Sequence, residues 1–101
     1  MNSATLTAIE TLTRNRDAIL VLARRHGARN VRVFGSVARG QADQASDIDL
    51  LVAMDPDRSL FDVGGLVMDL QDLLGIKVDV ITEGSLYGRF GEVVSKEAVP
   101  L

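Results

Sequence analysis

Gly35-Ser36-Val37-Ala38-Arg39-Gly40, a spacer of five residues, then Ser46-Asp47-Ile48-Asp49-Leu50 is the stretch on which the fold turns. Upstream of it, Val31-Arg32-Val33-Phe34 has the composition of a short strand running straight into Gly35. Residues 36 to 40 then make a helical turn, residues 40 to 46 a polar loop, and Asp47 to Met54 a second strand. In an extended chain, side chains at i and i+2 share a face. Asp47 and Asp49 therefore project together, while Ile48 and Leu50 face the other way into a core.

The flanking segments supply that core. Leu6, Ile9, Leu12, Ile19, Leu20, Leu22 and Ala23 recur at helical spacing, so residues 4 to 26 are expected as one amphipathic helix, ended by a left-handed cap at Gly27. Asp55-Pro56-Asp57-Arg58 has turn chemistry. Ser59 caps a helix whose stripe is Leu60, Val63, Leu66, Val67, Leu70, Leu73 and Leu74, with Gly75 at its end. Gly64 and Gly65 lie inside that helix, each costing about 1 kcal/mol against Ala, and close packing is the expected reason. Ile76 to Thr82 alternates as a third strand. Ser85 is expected to cap a last helix carrying Leu86, Phe90, Val93 and Val94, stopped by Pro100. The order predicts an α/β (α+β) layer structure: a small mixed three-stranded sheet with about four helices, mainly on one face.

The acidic residues need a reason to sit where they do. Two carboxylates on one face of a strand repel each other, and burial raises at least one pKa unless a cation intervenes. In the third strand Ile76, Val78 and Val80 form one face and Lys77, Asp79 and Ile81 the other. Asp is depleted in strands. If strands two and three are neighbours, ~4.8 Å apart, Asp79 joins Asp47 and Asp49. Three convergent hard-oxygen ligands suit Mg²⁺ and the two-metal arrangement of phosphoryl and nucleotidyl transfer. The Gly35-Ser36 turn supplies a close backbone approach and a hydroxyl, and Arg39 a guanidinium, either for a phosphate or for a salt bridge to an acidic neighbour.

Composition narrows the classes. The chain has 101 residues, of which 47% are hydrophobic and 25% charged, the balance of one ordinary globular domain spanning 1–101. A chain this short buries a modest share of its surface, so a partner subunit, of its own kind or another, would help it. It has no cysteine, which excludes thiolate metal sites, disulfides and cysteine nucleophiles. No apolar run approaches the ~18 residues of a membrane span, and residues 1–5 lack a signal-peptide pattern, so a cytoplasmic location is expected. A net charge of −3 argues against direct nucleic-acid binding.

Gly35-Ser36 followed by Ser46-Asp47-Ile48-Asp49-Leu50 resembles the signature of the nucleotidyltransferase superfamily, and within it the minimal nucleotidyltransferase (MNT) family. Phe61-Asp62-Val63, Lys77-Val78-Asp79-Val80-Ile81 and Glu97-Ala98-Val99-Pro100 resemble that family too, so the likeness runs from about residue 16 to the end. It implies a fold of DNA polymerase β type, with Asp47 and Asp49 as Mg²⁺ ligands, Asp79 as the third metal-site carboxylate that helps activate the attacking hydroxyl, and Gly35 and Ser36 as the phosphate-holding pair; Arg39 and Ser46 are the further residues expected at the nucleotide. It further implies two ions, ATP as substrate, and an antitoxin that transfers AMP to a tyrosine of a partner HEPN-domain toxin. A non-catalytic antitoxin acting by direct binding is the alternative. A small-molecule nucleotidyltransferase ranks last, since it needs an acceptor domain for which this chain has no residues.

Other polar residues carry blander expectations. Asp55 and Asp57 are turn residues, and no twelve-residue calcium loop fits around Asp43 or Asp47. His26 belongs at a helix C-terminus. Arg14, Arg16, Arg24 and Arg25, and likewise Asp62, Asp69 and Asp72, are expected on solvated faces. Tyr87 is expected to help pack the last helix.

Overall fold

A computed structural model describes residues 2–101. The elements run α1 (Ser3–Arg14), α2 (Arg16–Arg25), β1 (Ala28–Phe34), α3 (Gly35–Ala38), β2 (Ile48–Met54), α4 (Leu60–Leu74), β3 (Val78–Thr82), a 3₁₀ turn (Glu83–Ser85), α5 (Gly88–Glu97) and β4 (Val99–Pro100). The sheet order is β3-β2-β1-β4, with β2 parallel to β3 and both other pairs antiparallel.

The long N-terminal helix expected over 4–26 is two helices. Asn15 breaks it, with φ −104° and ψ 11°. Its backbone N–H and its side-chain amide both donate to the Thr11 carbonyl, at 3.2 and 2.8 Å. An Asn that bonds its own local backbone competes with the helical ladder. Gly27 does take the left-handed conformation after α2, at φ +76°. Ser59 and Asp62 form a reciprocal capping box at the start of α4, and Gly75 ends that helix at φ +67°.

The sheet has four strands rather than three. Pro100 does not merely stop a helix: Val99 and Pro100 pair with Val33 and Arg32, and the Leu101 N–H donates to the Val31 carbonyl at 3.1 Å. Pro is admissible here because β4 is an edge strand. Two residues are too few to be seen as a strand by alternation. The start of α5 also differs from expectation. Ser85 lies in the 3₁₀ turn, its hydroxyl 3.0 Å from that of Thr82, and α5 begins at Gly88 without a side-chain cap.

Period-two alternation divides the core into two layers. Val31, Val33, Ile48, Leu50, Val52 and Val78 pack with Leu12 of α1, Ile19 of α2 and Leu66 and Leu70 of α4. Phe34, Leu51 and Val94 form a smaller cluster on the opposite face, with Ile81, Leu86 and Ala98 against it. Burying a side chain such as Leu50 contributes about 1.5–3 kcal/mol. The first face therefore holds most of the fold's stabilisation, and the second carries the smaller cluster. Leu60 and Phe61, at the start of α4, are 85% and 92% exposed and belong to neither layer.

Candidate active site

Strand β1 delivers the chain to Gly35 on the thinly covered face. Phe34 stands opposite Asp49 in the β1–β2 register. Gly35 has φ +75°, and a Cβ added to it would lie 2.1 Å from Asp49 Oδ2. Only glycine lets the turn close against that carboxylate. On the other side of β2, Asp49 is the direct partner of Asp79 in the parallel ladder. Paired positions in a ladder share a face, so the two side chains emerge together. Asp47, one residue before β2, is two positions from Asp49, and its Oδ2 is 4.0 Å from Lys77 Nζ.

The electrostatics show that these acids sense one another. Asp49 has its pKa pushed up to about 6, first by burial, then by the charges of Asp79 and Asp47, with Arg39 opposing and Glu97 adding to the rise. Among the described residues, no three of the His, Cys, Asp and Glu side chains close on one point as a finished cation cage. The excess negative charge that Asp79 and Asp47 add around Asp49 suits a divalent cation. All are hard oxygen donors, the set that Mg²⁺ takes. Asp79 itself is exposed although its strand neighbour Val78 is buried.

The remaining predicted residues have definite places. Ser36 is half-buried in the first turn of α3, where its carbonyl accepts from Gln41 N–H at 2.8 Å. Arg39 makes the salt bridge: Nη1 donates to both oxygens of Glu97, at 3.1 and 3.2 Å, and Nε to Gln41 Oε1 at 3.2 Å. Ser46 Oγ accepts from Asp43 N–H at 2.9 Å, closing the loop that leads to Asp47. A hollow of about 280 Å³, bounded by Ala8, Val37, Ser46 and Ile48, includes none of the three carboxylates. Asp49 and Asp79 lie on a sheet face, where Asp79 is exposed.

Two functional supports were not found by sequence reasoning. Glu97 accepts from Gly35 N–H at 2.7 Å as well as from Arg39. Beyond the resemblance of the Glu97-Ala98-Val99-Pro100 ending to the family, its sequence signal is an acidic residue in a last helical turn, where the helix dipole disfavours it. Thr5 is fully buried, and its Oγ1 accepts from Ala42 N–H at 3.0 Å, tying the 40–46 loop to α1. Some expectations fail. Asp69 is not simply solvated, since its Oδ2 lies 2.7 Å from His26 Nε2. Tyr87 is 81% exposed and does not pack α5.

Residues 16–99 match the family described as nucleotidyltransferase domain. The chain belongs to that family. A Thermococcus cleftensis relative named protein adenylyltransferase MntA is 38% identical over 78 residues, covering 77% of this chain and 79% of its own. A Methanocaldococcus jannaschii chain, MJ0435, assigned as a protein adenylyltransferase, is 36% identical over 80% of this chain and 87% of its own. A solved structure assigned as a minimal nucleotidyltransferase superposes with a TM-score of 0.82 at 52% identity, covering 91% of this chain and 94% of that one. The fold is also shared, at TM-score 0.72 and 23% identity over 85% of this chain and 71% of the other, with a chain from a crystal structure of a toxin–antitoxin with AMP-PNP. This nucleotidyltransferase is thus a mixed α/β enzyme fold. Among its described residues no helix is long and apolar enough to cross a membrane.

Proposed function

We propose that residues 1–101 act as one minimal nucleotidyltransferase domain that moves AMP from ATP to a hydroxyl of a partner protein, a tyrosine of a HEPN-domain toxin, and so serves as a cytoplasmic antitoxin. The observation that carries the reading is the in-register pair Asp49 and Asp79 on one sheet face, with the Gly35 turn closed against Asp49. The names of the relatives favour a protein acceptor, and the fold shared with a toxin–antitoxin chain favours the setting.

Asp47, Asp49 and Asp79 would hold Mg²⁺, two ions in the full arrangement, which neutralises triphosphate charge and polarises the phosphoryl oxygens. Gly35 admits the phosphates close to the backbone, and the Ser36 hydroxyl donates to them. Arg39 turns the guanidinium N–H groups that Glu97 leaves unused toward the same anion. Ser46 fixes the loop before Asp47 and faces the nucleotide. The carboxylate of Asp79 accepts the proton as the acceptor oxygen bonds to the α-phosphorus and pyrophosphate departs. Positioning and charge neutralisation supply the rate.

The test is transfer of label from α-labelled ATP to the partner, with and without a chelator. The parent should label the partner only with Mg²⁺ present, and Asp47→Asn and Asp79→Asn should not label it. Equal labelling by both variants would sink the assignment. A second reading, neutralisation by contact alone, draws support from the exposed Leu60, Phe61 and Met68 on α4. In that case triad variants would bind and still protect.

A further inference from the structure

Glu97 is an expensive residue in its position. It is the last residue of α5, at the end where a helix dipole disfavours an anion. Its side chain is only 18% exposed, and a charge so placed needs compensation. It also adds a fourth carboxylate to the neighbourhood of Asp49, raising the cost of ionising the site. Against these costs stand two contacts, both on the same short segment. Glu97 Oε1 accepts from Gly35 N–H at 2.7 Å, and the two carboxylate oxygens together receive Arg39 Nη1.

The segment held this way has little room around it. Gly35 is pressed on Asp49 so closely that a methyl group would not fit between them. Arg39 is four residues on, its N–H bonded to the Gly35 carbonyl at 3.0 Å, so the Glu97 carboxylate grips both ends of the turn. Glu97 is itself fixed from two directions. It ends α5, whose Val94 is buried under the sheet, and it is followed at once by β4, which pairs with β1 two residues later.

We propose that Glu97 is a positioning residue for the nucleotide-holding turn: its carboxylate sets Gly35 and Arg39 against Asp49, making the C-terminal helix and strand part of the active site. The inference rests on the reading of Gly35 to Arg39 as the triphosphate-holding segment. It assigns Glu97 no contact with substrate.

Glu97→Gln keeps an oxygen for the Gly35 N–H and loses the charge that holds Arg39, whereas Glu97→Ala loses both. Two readouts separate the anchor from its purpose. The first, free of nucleotide, is the Gly35 amide in NMR: shifted downfield and slow to exchange in the parent, nearly so in Glu97→Gln, and released in Glu97→Ala. The second is affinity for Mg²⁺ with a non-hydrolysable ATP analogue. Glu97→Gln should stay within about threefold of the parent and Glu97→Ala should weaken roughly tenfold or more, the cost of an unmade charged hydrogen bond. Ile19→Val, in the remote layer, should lower the melting temperature without changing analogue affinity. That pattern supports positioning over a mere loss of stability. An unchanged Gly35 amide in Glu97→Ala overturns the anchor. A released amide with unchanged affinity leaves Glu97 a structural tie and overturns its purpose, and tighter binding would mean that the carboxylate competes with the phosphates. A parent that holds its Gly35 amide yet binds no analogue defeats the triphosphate-holding reading and the purpose of Glu97 with it.

Discussion

Along β2, Ile48, Leu50 and Val52 lie under α1, α2 and α4 and are at most 1% exposed, while Asp49 between them emerges on the face that only α5 partly covers. One strand thus serves two purposes with a period of two residues. The even positions hold the sheet to its helices. The odd position carries a carboxylate whose pKa of about 6 records what the protein gives up to keep it there. Around Asp49 stability and chemistry are divided by face, although Leu51 further along the same face is buried against Val94, so Asp49 and its immediate neighbours should respond to substitution in opposite ways.

The largest contrast is expected between Leu50→Ala and the acid-to-amide variants. Leu50→Ala should cost about 2–5 kcal/mol through the cavity it leaves, a large part of a small domain's total. Asp47→Asn and Asp79→Asn should melt no lower than the parent yet lose AMP transfer by about a hundredfold to a thousandfold, the scale of one missing electrostatic group. Thermal melts beside a transfer assay check this. If Asp79→Asn unfolds as readily as Leu50→Ala, the division by face is wrong.

Gly35→Ala should sharpen the boundary, because Gly35 borders both purposes. The new Cβ meets Asp49 Oδ2 at 2.1 Å, and the backbone is left-handed. A misplacement of the turn by about 1 Å would lower transfer by about a hundredfold, with a stability loss of order 1–3 kcal/mol. Gly40→Ala is the control. Its φ is similar, at +74°, but nothing lies within 4 Å of the added carbon, so it should show only the backbone cost and keep its activity.

The charge on Asp49 offers a smaller, pH-dependent effect. Its pKa rises from 3.8 to about 6 on folding. The folded state therefore binds this proton more tightly than the unfolded state does. The stabilisation from the protonated group is complete below about pH 3.8 and is lost as pH climbs through about 6. In a chelator, Asp49→Asn should melt higher than the parent at pH 7.5, and the gap should close as pH falls toward 4. Mg²⁺ should narrow it from the other side by stabilising the parent. A constant gap across that range would mean that the carboxylate carries no uncompensated charge.

Most of the candidate site's arrangement was legible because its parts obey local rules. Alternation placed Asp47, Asp49 and Asp79, and a strand ending in Gly-Ser placed the turn. What escaped depended on contacts between distant segments. No local pattern connects Glu97 to Gly35, 62 residues away, or Thr5 to Ala42, 37 residues away. The fourth strand is two residues long and exists only because β1 has a free edge. The break at Asn15 was visible in principle, since Asn favours local backbone bonds, but continuous apolar spacing on both sides concealed it. The stripe over α4 overreached at Leu60 and Leu73, which are exposed.

The packed face has its own fine division, and adjacent glycines expose it. Gly64 and Gly65 both sit inside α4, where sequence reasoning expected close packing for each. Only Gly65 has it. A Cβ there would stand 2.9 Å from His26 Cε1 and 3.1 Å from Nδ1, while one at Gly64 meets nothing within 4 Å. The ring cannot yield freely, because Asp69 Oδ2 holds His26 Nε2 at 2.7 Å. Gly64→Ala should therefore stabilise by up to about 1 kcal/mol, the helix propensity gain alone. Gly65→Ala should lose that gain or reverse it, because the ring or α2 must shift. Placing both changes in a His26→Ala background tests the cause. With the ring removed, Gly65→Ala should become as favourable as Gly64→Ala, and chemical denaturation can resolve the difference. If Gly65→Ala stays unfavourable without the ring, the helix seam is limited by backbone approach and His26 is not what keeps this position a glycine.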